Sequence, residues 1–171
     1  MFRKASRQEL TVLRRAFDRW GIFGFFEEKT LLIKEDNGVR EVYFLSTALE
    51  RIVSVQQPMH AGLMVGELKK SFLPSMQGAD IIARMSKKFP YIIVNEIAEK
   101  IILYGRNVLG QSILETAENL KENEIVLMLN INKELIGIGR TKFSGYSLLQ
   151  ENKSTVDTLV DAGYYLRSEG Q

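Results

Sequence analysis

The sequence predicts a mixed α/β (α+β) protein of two small domains: an antiparallel sheet with helices over 1–89 and a mostly antiparallel β-barrel over 90–171. Three observations predict it. Capped amphipathic stretches alternate with short β-rich runs in both halves. Asn37-Gly38 separates two β-rich runs, which is a strong hairpin signal. Finally, the apolar spacing changes from helical to strand-like at Phe89-Pro90, where proline restricts its predecessor and interrupts a helix.

The elements follow in order. Ser6 and Glu9 have capping-box spacing ahead of Leu10, Leu13, Phe17 and Trp20, predicting a helix over roughly 7–19 with Arg7, Arg14, Arg15 and Arg19 on its other face. The hairpin around Asn37-Gly38 comes next, then a short helix over 47–54, with Thr47 and Glu50 again spaced as a capping box. "MHAGLMVGEL" reads as a strand in which Gly62 and Gly66 mark a bulge or a close approach. A helix after Pro74 ends near Lys87-Lys88. In the second half "FPYIIV" is a strand, and Asn95 is a natural N-cap for "EIAEKIILY" with Glu96 and Glu99 in its first turns. Gly105 stands where a left-handed residue ends a helix. "SILETAEN", "EIVLMLN" and "ELIGIGR" are three further strands, the last two joined at Ile131-Asn132-Lys133, and "GYYLR" reads as the closing strand.

Composition narrows the chemistry. With 171 residues, 45% hydrophobic and 26% charged, the chain has enough material for one large or two small domains. No apolar run approaches the roughly 20 residues that span a bilayer, so no membrane is expected. The basic start "MFRKASRQEL" has no hydrophobic region behind it, so no secretory signal is read. The absence of cysteine removes disulfides, thiol catalysis and thiolate metal sites, and fits a reducing, cytoplasmic interior. A single histidine, His60, argues against a histidine-ligated metal or a histidine triad; in an apolar-alternating segment it reads as a hydrogen-bonded strand residue. Glu27-Glu28 lacks any partner for acid–base work. No cofactor is expected.

The net charge of +2 conceals an asymmetry. Residues 1–90 hold 15 Lys/Arg against 10 Asp/Glu, and residues 91–171 hold 8 against 11, which gives +5 and −3. A nucleic acid would be drawn to the first half and to local patches only in the second. Arg14-Arg15, Lys69-Lys70 and Lys87-Lys88 supply the excess, each pair more simply read as a solvated face.

The second half resembles the PUA domain, an RNA-binding module named for pseudouridine synthases and archaeosine transglycosylases. The matching features are the strand-and-helix start, the "LYGRNVL" elbow, the paired strands of "NEIVLMLNINKELIGIGRTKFS" and "DAGYYLR". With "EKTLLIKEDNGVREVYFLS" and "GLMVGELKKSFLPSMQGADIIARMSKKFPYIIVNEIAEKIILYGRNVL" included, nearly the whole chain is similar to the Nip-seven (nuclear import protein seven) family of ribosome-biogenesis factors, in an archaeal form. The resemblance implies an N-terminal α/β domain, a C-terminal PUA pseudo-barrel and a non-catalytic role in large-subunit maturation. It also implies single-stranded or pre-ribosomal RNA as partner, with the exosome or other assembly factors as candidates for the N-terminal domain. A monomer is expected, placed in the nucleolus were the source eukaryotic. The rival readings are an accessory subunit or fragment of a PUA-containing RNA-modifying enzyme, and a protein-interaction adaptor with little RNA binding.

The resemblance points to RNA at the Gly105-Arg106 elbow with Gly110, where glycines would let amides approach phosphates and arginine would donate twice. Arg140 and Lys142 with Tyr146 give cations interleaved with an aromatic, as single-stranded RNA requires, while Phe143 reads as core. Arg167 joins them from the closing strand. The bland alternative is a helix-ending glycine, a bent strand and solvated charges.

Overall fold

The computed structural model describes the chain except residues 23, 25–29, 60, 87, 165, 166 and 168–171, so the expectations for His60, Lys87, Glu27-Glu28 and Tyr165 lie outside the described residues. The chain divides into two compact units, Met1–Lys88 and Phe89–Gln171.

The first unit is a five-stranded antiparallel sheet in the order β1-β2-β3-β4-β5, formed by Phe2–Lys4, Thr30–Asp36, Val39–Leu45, Leu63–Leu68 and Phe72–Pro74. Its helices are α1 (Arg7–Arg19), α2 (Thr47–Gln56) and α3 (Met76–Met85). Asn37 and Gly38 both take positive φ (48° and 77°), the turn whose twist matches the flanking strands. Across β3 and β4 the register slips between Val42, opposite Gly66, and Tyr43, opposite Met64, so Val65 beside Gly66 is the extra residue of a bulge on β4, as the strand glycines lead one to expect. Gly62, at φ 66°, passes so close to the Phe44 carbonyl that a Cβ would overlap it. One side of the core is aromatic: Phe17 meets Phe72 edge-on at 5.5 Å, with Trp20 5.8 Å from Phe72.

The Ser6–Glu9 capping box forms in full, each side chain bonding the other's backbone N–H. The second predicted box does not. Ser46, not Thr47, is the N-cap of α2 and makes no side-chain cap bond, while Glu50 is drawn away to Lys4 (2.6 Å) and Thr30 (3.0 Å). Those partners lower the Glu50 pKa, Lys4 contributing most. β1 and β5, three residues each, carry too little pattern to be read in advance.

The second unit is a six-stranded pseudo-barrel ordered β7-β11-β10-β9-β6-β8. Its strands are β6 (Tyr91–Val94), β7 (Val108–Leu109), β8 (Ile113–Thr116), β9 (Ile125–Leu129), β10 (Leu135–Thr141) and β11 (Ser154–Asp161), with α4 (Glu96–Leu103). All pairs are antiparallel except β6 with β9. The core gathers Ile92, Val94, Ile102, Val126, Met128 and Val156. Asn95 caps α4 by accepting from the Ala98 N–H at 2.9 Å.

One element departs from expectation. The closing strand is Ser154–Asp161, and it ends before Gly163. "STVDTLVD" has alternating β-branched residues, the period of a half-buried strand. The aromatic pair of "GYYLR" draws attention from it. Strand β11 is also what builds the site below.

Candidate nucleic-acid interface

The elbow begins with the end of α4. Gly105 takes φ 73°; its N–H donates to the Ile102 carbonyl at 2.7 Å, and the Arg106 N–H to the Ile101 carbonyl at 3.1 Å. This is a complete Schellman motif, with glycine at the position where a side chain would be strained. The motif requires Gly105 but no cation at 106, a position more often apolar. The next turn is fixed to β11: Thr158 donates its hydroxyl to the Arg106 carbonyl (2.8 Å) and its N–H to Asn107 Oδ1 (3.0 Å). A rigid backbone thus presents an exposed Arg106 side chain, which has no hydrogen-bond or ion-pair partner among the described residues.

Both glycine amides prove to be engaged. Gly105 N–H serves the helix end, and the Gly110 N–H donates to the Lys153 carbonyl at 3.0 Å. Gly110 is buried, and a Cβ there would overlap the Leu148 and Gln150 carbonyls. The expectation that these amides approach phosphate is corrected accordingly: Gly105 ends a helix, and Gly110 lets two backbone segments cross.

The remaining cations divide. Arg140 on β10 stands opposite Asp157 of β11 and Ile125 of β9, half-buried, and its side chain has no partner among the described residues. Lys142 is occupied, donating to Asp157 (2.8 Å) and to the Ser154 hydroxyl (3.2 Å). Arg167 follows β11 rather than lying on it, and its guanidinium grips both oxygens of Asp161 at 2.9 and 3.0 Å. It also donates to the Leu103 carbonyl at the end of α4, where a cation complements the helix dipole. The Asp161 hydrogen bonds raise the Arg167 pKa further. Gly163 permits this closure, since a Cβ there would overlap the Leu103 carbonyl. The structure therefore makes Arg167 a clamp between β11 and α4.

Tyr146 stands on another scaffold. It lies 93% exposed on a short 3-10 turn, Gly145–Leu149, held to the β8–β9 connection by the Gly145 N–H to the Leu120 carbonyl at 3.1 Å. Phe143 packs against the barrel core. Asp157, Thr158 and Asp161, which organise three of the four cations, belong to the strand that sequence reading had not placed. No group of three or more His, Asp or Glu side chains fit to hold a metal occurs among the described residues.

Residues 2–76 match the family model described as NIP7/UPF0113, pre-PUA domain, and residues 90–170 match the one described as UPF0113 PUA domain. A UPF0113 protein of Archaeoglobus fulgidus is 36% identical over 170 residues, 98% of this chain and 95% of that protein. This chain belongs to the NIP7/UPF0113 family. Over 84 residues it is also 33% identical to tRNA-guanine(15) transglycosylase of Methanocaldococcus jannaschii, a match covering 47% of this chain and 12% of that enzyme. A conserved PUA domain protein from Thermoplasma acidophilum superposes with a TM-score of 0.68 at 13% identity, covering 98% of this chain and 99% of that one, which shows the shared fold. The NIP7/UPF0113 chain thus carries its PUA unit on an N-terminal unit that its family shares.

Proposed function

We propose that this protein is a non-catalytic RNA-binding factor that acts on precursor ribosomal RNA during large-subunit maturation, in the cytoplasm. Family membership and the PUA unit support the RNA-binding part of that reading. The observation that carries it at the residue level is the pair of arginines around β11, Arg106 and Arg140, without partners among the described residues. A half-buried or rigidly presented guanidinium without a carboxylate is ready for a phosphate, to which it can donate twice. Assembly factors or the exosome would meet the N-terminal unit in this reading.

The test is binding of a labelled single-stranded RNA across a salt series. Arg106→Ala with Arg140→Ala should weaken binding and flatten the slope of log K against log salt by about 1.4, at about 0.7 per phosphate on a single strand. An unchanged slope would place the phosphates elsewhere. A second reading draws on the tRNA-guanine transglycosylase match. Crosslinking in the native host that recovers transfer RNA, not precursor ribosomal RNA, would favour an accessory role in tRNA modification.

A further inference from the structure

The PUA unit has a side that RNA phosphates should avoid, and Tyr146 lies on it. A concavity of about 380 Å³ is lined by Thr116, Glu118, Asn119, Leu120, Tyr146 and Leu149, among others. Residues 115–124 hold four glutamates (115, 118, 122, 124) and one lysine (121), a net −3. That equals the whole acid excess of residues 91–171, where 8 cations oppose 11 acids. Two of these glutamates have local duties: Glu115 accepts from the Tyr91 hydroxyl at 2.6 Å, and Glu124 from the Lys121 N–H at 2.8 Å. Glu118 is exposed and has no ion-pair partner among the described residues. Gly145, at φ 53° and with open space where a Cβ would be, starts the turn that holds the Tyr146 ring in solvent.

We infer that this groove receives a cationic side chain from a basic segment of a protein partner. Tyr146 offers a π face and Glu118 a carboxylate, while exposed Leu149 gives the aliphatic stem of a lysine or arginine apolar surface to lie on. Charge complementarity selects this occupant over a nucleotide. No lysine or arginine is among the residues lining the groove, so a phosphate entering it would face Glu118 unopposed. The inference goes beyond the RNA reading and removes Tyr146 from the RNA track. It gives the unit two oppositely charged working surfaces.

The test uses the full chain and two probes: a fluorescein-labelled nonapeptide alternating glycine with arginine and lysine, and a labelled oligouridine. The peptide should bind the wild type with an affinity that falls as salt rises. Tyr146→Ala and Glu118→Gln should each weaken it about five-fold, Tyr146→Phe should retain it, and none of the three should change oligouridine binding. Circular dichroism would establish that the variants are folded, and both substituted sites are exposed. Equal peptide binding by wild type and both weakened variants would overturn the proposal, as would no peptide binding at all. Loss of oligouridine binding in Tyr146→Ala would overturn it too, because the ring would then be a base-stacking platform.

Discussion

Each unit holds a carboxylate between two arginines or lysines, and the two arrangements serve opposite ends. In the N-terminal unit Glu9 is only 5% exposed. It accepts from Arg3 through both oxygens at 2.8 Å, from the Ser6 N–H at 2.8 Å, and lies 3.5 Å from Arg40. In the PUA unit the Asp157 side chain is 40% exposed; it binds Lys142 at 2.8 Å and stands opposite Arg140 without forming an ion pair. The buried carboxylate uses up its cations, whereas the exposed one leaves a cation over. Net charge thus misjudges both units: the basic half consumes some of its positive charge internally, and the acidic half keeps two arginines without a carboxylate partner among the described residues.

The largest effect is expected where the knot is tightest. Hydrogen bonding to Arg3 is the main cause that holds the Glu9 carboxyl down at about 2, against an ordinary value of 4.5, and burial opposes it in part. A depressed pKa means that the folded state favours the charged form. The stabilisation is complete above about pH 4.5 and is lost as the pH falls towards 2. It amounts to about 3 kcal/mol at about 1.4 kcal/mol per pKa unit. Glu9→Gln should therefore lower urea-unfolding stability by about 2–3 kcal/mol at pH 7. The same variant should lose less stability than the wild type between pH 4.5 and 2.5, and parallel acid curves would show that Glu9 is not the titrating group.

Next come the two cations that share Asp157. Arg140→Ala should weaken single-stranded RNA binding by about five-fold or more, and Lys142→Ala by about two-fold, because the lysine must first give up its carboxylate. Equal losses in anisotropy titrations would mean that the ion pair imposes no cost on binding. The smallest effect sharpens the same point. Asp157→Asn removes the competing charge beside both cations, and RNA affinity should rise about two- to three-fold at low salt with the gain fading above the screening range. A loss of affinity would show that Asp157 is needed to place Lys142 and Arg140.

Much of the architecture was legible in the chain because local physics decides it. The Ser6–Glu9 box, the Asn37-Gly38 turn, the Asn95 cap and the Gly105 helix end depend on neighbours within four residues, and all four form as read. Thr47 and Glu50 had the right spacing for a box, but β1 and β2 brought Lys4 and Thr30 to Glu50, and a charged partner outcompetes a backbone N–H. The identity of the cations at 106, 140, 142 and 167 was equally plain in the sequence, whereas their availability was not. That depends on β11, whose Asp157, Thr158 and Asp161 lie 15 to 52 positions from the groups they hold, save Arg167. Pairing across such separations is decided by strand register, and register is a property of the closed sheet. Sequence alone determined the helix ends, the turn and the type of fold. Only the tertiary structure decided which positive charges are paired with carboxylates inside each unit and which, among the described residues, are left unpaired.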